Sequence, residues 1–300
     1  MVLPLQLLSK VLIPLILLSS CISMKSENEL SKEYYNLGNE FLELKNFDKA
    51  SNLYEKSLSY DKSNFQAKIN LIIALQGKKN YDSAELLIKK EYTTSLNTKN
   101  KNLLLLLGKN FFLKKEFEKS NDLFFNYINI YPDDKIGYFN VGLNYLNLRD
   151  FQNAHDYFLK SYSKDPNFIP SLYNITNYYF ENNLYSESIP YITELVLKDS
   201  NNDKVHFMYS KILYELNEMQ KAKESILKAI ELNKESNVYE IYAARIYAKG
   251  FNDKKNTLFH IENALKKGYK TSDLSEIKDF STLREQFRDE YNEIIKKEFN

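Results

Sequence analysis

Hydrophobic positions recur along most of this chain with the spacing of paired amphipathic helices, and residues 135–168 show the pattern most clearly. In each half of this stretch, bulky residues recur three or four positions apart, which is typical of the buried face of an α-helix. A polar break at Arg149 and Asp150 separates the halves. The stretch therefore predicts two helices joined by a short turn. The positions that carry the pattern are Tyr138, Val141, Tyr145, Phe151, Ala154 and Phe158.

The same layout returns at a spacing of about 34 residues, which is a period typical of two-helix solenoid repeats. It predicts six units, at residues 31–64, 65–98, 101–134, 135–168, 169–202 and 203–236. In the second helix of each unit, a small residue stands between two large ones. These small residues are Ala50, Ala84, Ser120, Ala154, Ser188 and Ala222. Small side chains let two helices approach closely while the large ones interlock.

The first helix of each unit adds a second signature. In the first unit, Leu37 and Gly38 are followed three places later by Phe41, and a late proline closes the third and fourth units at Pro132 and Pro166. Together with the small positions, this arrangement resembles the tetratricopeptide repeat. The resemblance implies an all-α fold, an α-solenoid in which repeat helix pairs stack into a right-handed superhelix.

Two parts of the chain depart from this pattern. The second unit has Ile72 where glycine is usual and Glu91 where a small residue is expected, so we expect looser packing there. Residues 237–268 keep part of the pattern and are interpreted as a divergent seventh unit. Residues 269–300 keep helical spacing and are interpreted as C-terminal capping helices, because a solenoid needs a terminal unit with a polar outer face.

The first 20 residues differ in composition from the rest. They contain no acidic residue, one basic residue at Lys10, and an apolar run from Val11 to Leu18. A helix needs about 20 apolar residues to cross a bilayer, so residues 1–20 predict a secretory signal peptide.

The segment Leu18-Ser19-Ser20-Cys21 follows directly and resembles the lipobox of bacterial lipoproteins. The resemblance implies that Cys21 becomes the first mature residue and carries acyl chains such as palmitate. Residues 21–30 would then be a lipidated tether. The alternative is an unmodified cysteine at the edge of a plain signal peptide or an uncleaved anchor.

Charge and motifs exclude several classes of function. Lys and Arg total 41 against 40 Asp and Glu, and the charges are interspersed, so nothing favours nucleic acid. The three histidines, His155, His206 and His260, lie in separate units, and no phosphate-binding, dinucleotide-binding or nucleophile motif is present. We predict no enzyme activity, no metal, no cofactor and no small-molecule substrate. His206 stands at a core position, where a packing role is expected.

A partner-binding groove is implied by the resemblance, because the first helices of tetratricopeptide repeats line a concave face. Aromatic residues recur at the corresponding positions with Asn and Lys between them, which is typical of protein interfaces. We therefore predict an apolar peptide or partner helix in this groove. The alternative is that these side chains pack against neighbouring helices. The predicted groove residues are Tyr35, Asn39, Lys109, Phe112, Phe139, Leu143, Tyr173, Asn177, Phe180, Phe207, Lys211, Tyr214 and Arg245.

These observations predict a non-catalytic, lipid-anchored scaffold of the bacterial cell envelope, acting as an accessory of envelope or outer-membrane protein assembly. Ile22 follows the cysteine instead of the Asp used for inner-membrane retention in some bacteria, which favours the outer membrane without fixing the face. A surface-exposed lipoprotein that meets host molecules is the second hypothesis. An envelope enzyme or enzyme regulator is the third.

Overall fold

The computed structural model of the protein describes residues 25–94, 100–286 and 288–296. The chain forms two compact units, residues 1–130 and 131–300. Within the described residues the regular elements are helices, without a strand, and in each compact unit the long helices pack against the helices next to them in sequence. The predicted all-α solenoid class is confirmed. The predicted signal peptide and Cys21 lie outside the described residues.

The first compact unit contains three helix pairs. Their helices are α1 (Glu27–Glu43), α2 (Phe47–Tyr60), α3 (Phe65–Gly77), α4 (Tyr81–Thr94), α5 (Lys101–Leu113) and α6 (Phe117–Ile130).

The second compact unit contains four helix pairs and a set of shorter helices. The first three pairs are α7 (Lys135–Asn147), α8 (Phe151–Lys164), α9 (Ile169–Glu181), α10 (Tyr185–Lys198), α11 (Asp203–Glu215) and α12 (Met219–Leu232). The fourth pair and the shorter helices are α13 (Asn237–Ile246), α14 (Lys254–Lys266), α15 (Thr271–Leu274), α16 (Ser281–Gln286) and α17 (Arg288–Lys296).

The first helix begins earlier than the sequence suggested, inside the predicted tether of residues 21–30. Ser26 caps α1 because its Oγ accepts from the Glu29 backbone N–H while the Glu29 carboxylate accepts from the Ser26 N–H. Such a capping box satisfies two backbone donors that the helix start leaves unpaired. The helical part of that segment, from Glu27 onward, is therefore not a free linker.

The turn inside each helix pair has one repeated geometry. The residue two places before each second helix has a left-handed backbone, with φ between 47° and 63°. The next backbone N–H bonds back to the first helix at 2.8 to 2.9 Å in the first six pairs, which is the pattern of a Schellman cap. These residues are Lys45, Lys79, Lys115, Arg149, Asn183, Asn217 and Asn252.

The core of each pair is formed by the small and large positions of its second helix. The six small residues are 0 to 2% exposed, and so are the large residues four places after them. Those large residues are Tyr54, Ile88, Phe124, Phe158, Ile192 and Ile226.

The size of each large residue matches the residue that faces it from the first helix. Gly142 faces Phe158 so closely that an added Cβ would lie 2.7 Å from the ring. By contrast Thr176 stands at the equivalent position opposite Ile192, and both are fully buried. The helix pairs therefore keep a constant packed volume by exchanging side-chain size across the contact.

The second pair of the first unit is not loosely packed, contrary to our expectation. Ile72 and Ile88 are both fully buried and fill the space between α3 and α4. Glu91 is also buried, and Lys68 reaches it with an Nζ–Oε2 distance of 2.9 Å. An ion pair therefore replaces the small residue.

The predicted seventh unit contains α13 and α14. A π-helical turn at Tyr247–Phe251 precedes the left-handed Asn252 and accommodates the extra length of the connection. Downstream, Leu274, Phe280 and Tyr291 pack with α13 and α14 in one apolar cluster. The described residues of the segment predicted as capping helices therefore cover the last helix pair, and they form short helices and a 3₁₀ turn.

No helix in the described ranges is both long enough and apolar enough to cross a bilayer.

Candidate functional site

The predicted groove residues of the first compact unit mostly have internal partners. Asn39 accepts hydrogen bonds from Tyr54 Oη and Asn70 Nδ2, both at 2.8 Å. The Tyr35 ring packs against Tyr54, with ring centroids 6.1 Å apart. These side chains join α1 to α2 and α3, so their contacts are those of a packed core.

The other two predicted groove residues of the first compact unit, Phe112 and Lys109, differ in how far they are packed. The ring of Phe112 packs edge-on against Phe117 at the start of α6, at 5.6 Å. Lys109 is exposed on α5. In the first compact unit, only this residue of the prediction is largely free for a partner.

In the second compact unit, Phe139 and Leu143 also pack internally. Phe139 makes ring contacts with Phe158 at 5.6 Å and with Phe168 at 5.1 Å. Leu143 packs on the same apolar cluster. Tyr173, by contrast, is 36% exposed on α9.

Of the remaining predicted residues, Asn177 lines a cavity between α8 and α9. The others converge with further side chains on the first helices α9, α11 and α13. There the side chains alternate between aromatic rings and cations. We call this the cation–aromatic surface, and it consists of Phe180, Phe207, Lys211, Tyr214, Tyr242, Arg245 and Lys249.

Each cation of this surface lies over an aromatic ring. Lys211 Nζ is 4.1 Å from the ring centroid of Phe180, and Lys249 Nζ is 4.2 Å from that of Tyr214. The guanidinium carbon of Arg245 is 5.0 Å from the Tyr214 centroid. Cation–π contacts of this kind contribute about 0.5 to 2 kcal/mol each. They hold long side chains in place before a partner arrives.

The positive charges of this surface exceed the negative charges paired with them. Arg245 Nε donates to Asp279 Oδ2 at 2.6 Å. Within the described residues, Lys211 and Lys249 have no carboxylate oxygen within 4 Å. The surface therefore carries cations available to a partner.

The pKa of Lys211 lies below its ordinary value. Burial of its ammonium group is the main cause, and the charge of Arg245 lowers the pKa further. Glu181 and Glu215 oppose the shift without forming a close ion pair. A carboxylate brought by a partner would relieve both effects, because it would offset the lost hydration and the like-charge repulsion.

Tyr214 is more deeply placed than a groove-lining residue, because only 2% of its surface is exposed. Its ring lies under Arg245 and Lys249 and contacts Tyr242 at 5.5 Å. Burial raises the pKa of Tyr214, and its hydrogen bond with Asp279 adds to the shift. Its role is to support the cations above it.

Three members of this region were not predicted from the sequence. Lys249 stands one helical turn after Arg245, so helical spacing could have indicated it. Tyr242 stands in the first helix of the seventh unit, where the predicted list had only Arg245. Asp279 comes from the C-terminal segment, and no local pattern connects it with α13.

The histidines occupy structural positions. His206 is buried, and its Nε2 donates to the Ser200 carbonyl oxygen at 2.8 Å, so the predicted packing role is confirmed. His260 bonds through Nδ1 to Glu240 at 2.6 Å. His155 stacks on Tyr178 at 4.0 Å. In the described ranges, His, Cys, Asp and Glu side chains do not gather in a group of three able to hold a metal ion.

Solved structures with the same architecture are helix-pair solenoids. The C-terminal part of a TPR repeat-containing protein from Cytophaga hutchinsonii aligns with a TM-score of 0.64 at 16% identity, over 81% of this chain and 99% of that one. Pseudomonas aeruginosa pilF gives 0.57 at 19% identity, over 73% and 99%. MamA from Desulfovibrio magneticus RS-1 gives 0.51 at 16% identity, over 56% and 94%. At such identities the likeness concerns the fold.

The fold thus defines the class, an α-solenoid of helix pairs whose exposed side chains suit protein contacts. Residues 31–64 and 203–236 each match the tetratricopeptide repeat family. The chain therefore contains tetratricopeptide repeats in these two segments, within an α-solenoid fold that it shares with solved repeat proteins. No curated protein matches it by sequence.

Proposed function

We propose that this protein is a non-catalytic scaffold of the bacterial cell envelope that binds a segment of another protein through its cation–aromatic surface. The observation that carries the proposal is the set of pre-ordered cations on α11, α13 and the turn after α13. Lys211 and Lys249 lie over aromatic rings, and the described residues place no carboxylate against either.

The chemistry of this surface selects the kind of segment. Aromatic rings and ordered cations accept a segment that brings apolar side chains together with carboxylates. Tyr173 lies exposed on the neighbouring α9 and extends the apolar area. The partner is therefore an amphipathic protein segment with acidic residues, whereas the sequence predicted an apolar peptide or partner helix.

Anchoring is the second part of the proposal. Acylation of Cys21 would hold the protein on a membrane, since each buried methylene contributes about 0.8 kcal/mol and more than one chain gives stable binding. We infer an outer-membrane location and a role as accessory of envelope protein assembly. The lipobox-like segment at residues 18–21 supports the anchor.

Site-specific crosslinking in cells tests the binding function. A photo-crosslinking residue at position 173 should give a defined adduct, and Lys211→Gln combined with Lys249→Gln should abolish it. A crosslinker at Leu197, which is 77% exposed on α10, is the control and should give no such adduct. Lys228→Gln on α12 serves as the matched charge control. An adduct that survives the double substitution would contradict the proposal.

Metabolic labelling with a fatty-acid analogue tests the anchor separately. The full-length chain should be labelled, and a Cys21→Ala variant should not. Equal labelling of the two would remove lipidation at this residue from the proposal, without affecting the crosslinking result.

A further inference from the structure

A cavity of about 340 Å³ lies between α8 and α9 in the second compact unit. Helix α8 contributes Phe151, His155 and Phe158, and helix α9 contributes Tyr178 and Glu181. This volume is at the low end of the range for small-molecule sites, about 300 to 1,000 Å³. It suits a single side chain better than a helix.

The walls of the cavity are largely aromatic. Phe151 is the first residue of α8 and is 54% exposed. Tyr178 stacks on His155 with centroids 4.0 Å apart, and its hydroxyl donates to Gln152 Oε1 at 2.7 Å. These contacts fix the rings of Tyr178 and His155, so part of the aromatic surface of the cavity is preformed.

The rim of the cavity offers hydrogen-bond acceptors. The Nδ2 atoms of Asn174 and Asn182 each donate at 2.8 Å to a carbonyl oxygen of their own chain segment. That leaves their Oδ1 atoms as acceptors. In the described part of the chain, the Glu181 carboxylate has no cationic nitrogen within 4 Å, and Lys211 lies instead over Phe180.

His155 adds a buried polar atom without a partner. Only 5% of the residue is exposed, and its Nδ1 makes no hydrogen bond with the described atoms. Burial lowers the pKa of His155, so the imidazole is neutral near pH 7 and one ring nitrogen is an acceptor. A buried polar group of this kind normally has a partner.

We propose that this cavity receives an arginine side chain of the bound protein segment. The methylene groups would lie against Phe151 and Phe158, and the guanidinium would bond to Glu181 and the amide oxygens of the rim. Arginine fits because its planar head stacks on aromatic rings and carries five donors in a fixed fork. This assignment rests on the proposed function, and it adds a basic anchor to a segment whose acidic groups meet Lys211 and Lys249.

A titration of the full-length chain in detergent, with histidine side chains labelled for NMR, tests the assignment. The probes are the N-acetyl methylamides of arginine, lysine and norleucine. The arginine probe should shift the His155 signals saturably and leave those of His206 and His260 unchanged. Glu181→Gln should weaken this binding by about threefold to fivefold, because Glu181 is exposed and ion pairs at exposed sites contribute only modestly. Glu187→Gln, an exposed carboxylate on α10 outside the cavity, should leave it unchanged.

Three results would overturn the arginine assignment. The norleucine probe binding as tightly as the arginine probe would indicate an apolar occupant. The lysine probe binding equally well would indicate a general cation site. Equal affinity of the arginine probe for the wild type and Glu181→Gln would show that the carboxylate takes no part. If the position-173 adduct persists in any of these cases, only the cavity assignment fails and the binding function stands.

Discussion

Glu240 is an acidic residue of α13 with only 3% of its surface exposed. Its two carboxylate oxygens bond to His260 Nδ1 at 2.6 Å and to Lys267 Nζ at 2.5 Å. Burial alone would raise the pKa of Glu240, but these two bonds outweigh it, so the pKa lies below its ordinary value. The Glu240 carboxylate therefore links α13 to α14 through His260 and to Lys267, the residue directly after α14.

Glu240→Gln should therefore destabilise the protein by about 3 kcal/mol near pH 7, because it leaves the partners of a buried ion pair unmatched. Because the pKa of Glu240 is lower in the folded than in the unfolded protein, its ionised carboxylate stabilises the fold fully above the unfolded pKa of 4.5. This stabilisation is lost as the pH falls through the folded pKa. The difference from wild type should shrink below about pH 4.5, measured by urea unfolding across pH.

The control for this experiment is Glu235→Gln, which removes an exposed carboxylate before α13. It should change the free energy of unfolding by less than about 0.5 kcal/mol at every pH. A Glu240→Gln deficit that stays constant from neutral to acidic pH would contradict the role given to the ionised carboxylate.

At the scale of the helix pair, stability depends on matched volumes across the contact between its two helices. An added Cβ at Gly142 would lie 2.7 Å from Phe158 and 3.2 Å from the Ala154 carbonyl oxygen. The ring could shift, but the backbone oxygen cannot do so cheaply. Pairs with a larger residue at this position have isoleucine where this pair has phenylalanine, as at Thr176 and Ile192.

Gly142→Ala should lower the free energy of unfolding by about 1 to 3 kcal/mol, although alanine favours helices more than glycine does. Phe158→Ile alone should also destabilise, because it leaves a cavity. The double variant should lose less than the sum, with a coupling of at least about 0.5 kcal/mol. Chemical denaturation of the four proteins in the cycle measures this, and strict additivity would contradict the proposed volume match.

The turn inside the pair depends on a left-handed residue, which is not glycine in any of the seven pairs. Arg149 has a φ of 62° there. Arg149→Gly should stabilise the protein by up to about 1 kcal/mol, because the left-handed region is strained for residues with a Cβ. Gly268 is the matched opposite, since its φ is 83° and an added Cβ would have open space. Gly268→Ala should destabilise the protein. If the urea unfolding midpoints of Arg149→Gly and Gly268→Ala move in the same direction, backbone strain is excluded as the cause.

At the scale of the whole molecule, the helix pairs form two compact units, residues 1–130 and 131–300. Contacts are concentrated between helices that follow each other along the chain. The stability of such an array is approximately the sum of the stabilities of the single helix pairs and of the contacts between neighbouring pairs. Local damage should therefore remain local.

Hydrogen exchange measured by mass spectrometry tests this locality. Gly142→Ala should reduce amide protection most in α7 and α8, less in α9 and α10, and least in α1 and α2, because each pair transmits the loss only to its neighbours. A uniform loss of protection along the described residues would instead indicate a single cooperative fold.

Much of the architecture was predictable because it repeats. In each of the six predicted units, the second helix begins at the first of the two large residues that flank the small one, from Phe47 to Met219. Errors arose where one copy differs. Glu91 can be buried because Lys68, which lies in the preceding helix, forms an ion pair with its carboxylate. At residues 26–29 a capping box extended the helix into the predicted tether.

The candidate site was predictable only in part. Lys211 and Arg245 were found by their repeat positions, and the structure places both on the cation–aromatic surface. Repeat position could not separate Tyr173, which is exposed, from Tyr214, which is buried, because the neighbouring pair decides which face is covered. The cavity between α8 and α9 also depends on how two helix pairs stack, and no single helix pair contains it.

The sequence by itself determined the helix pairs, their period and their interlocking residues, because these depend on local spacings that recur about every 34 residues along the chain. The tertiary structure alone decided which cations lack a carboxylate, which rings hold them in place, and where a cavity stays open. Those properties arise from side chains that are far apart in the sequence and meet only when the chain is folded. Arg245 of α13 and Asp279 of the C-terminal segment are an example.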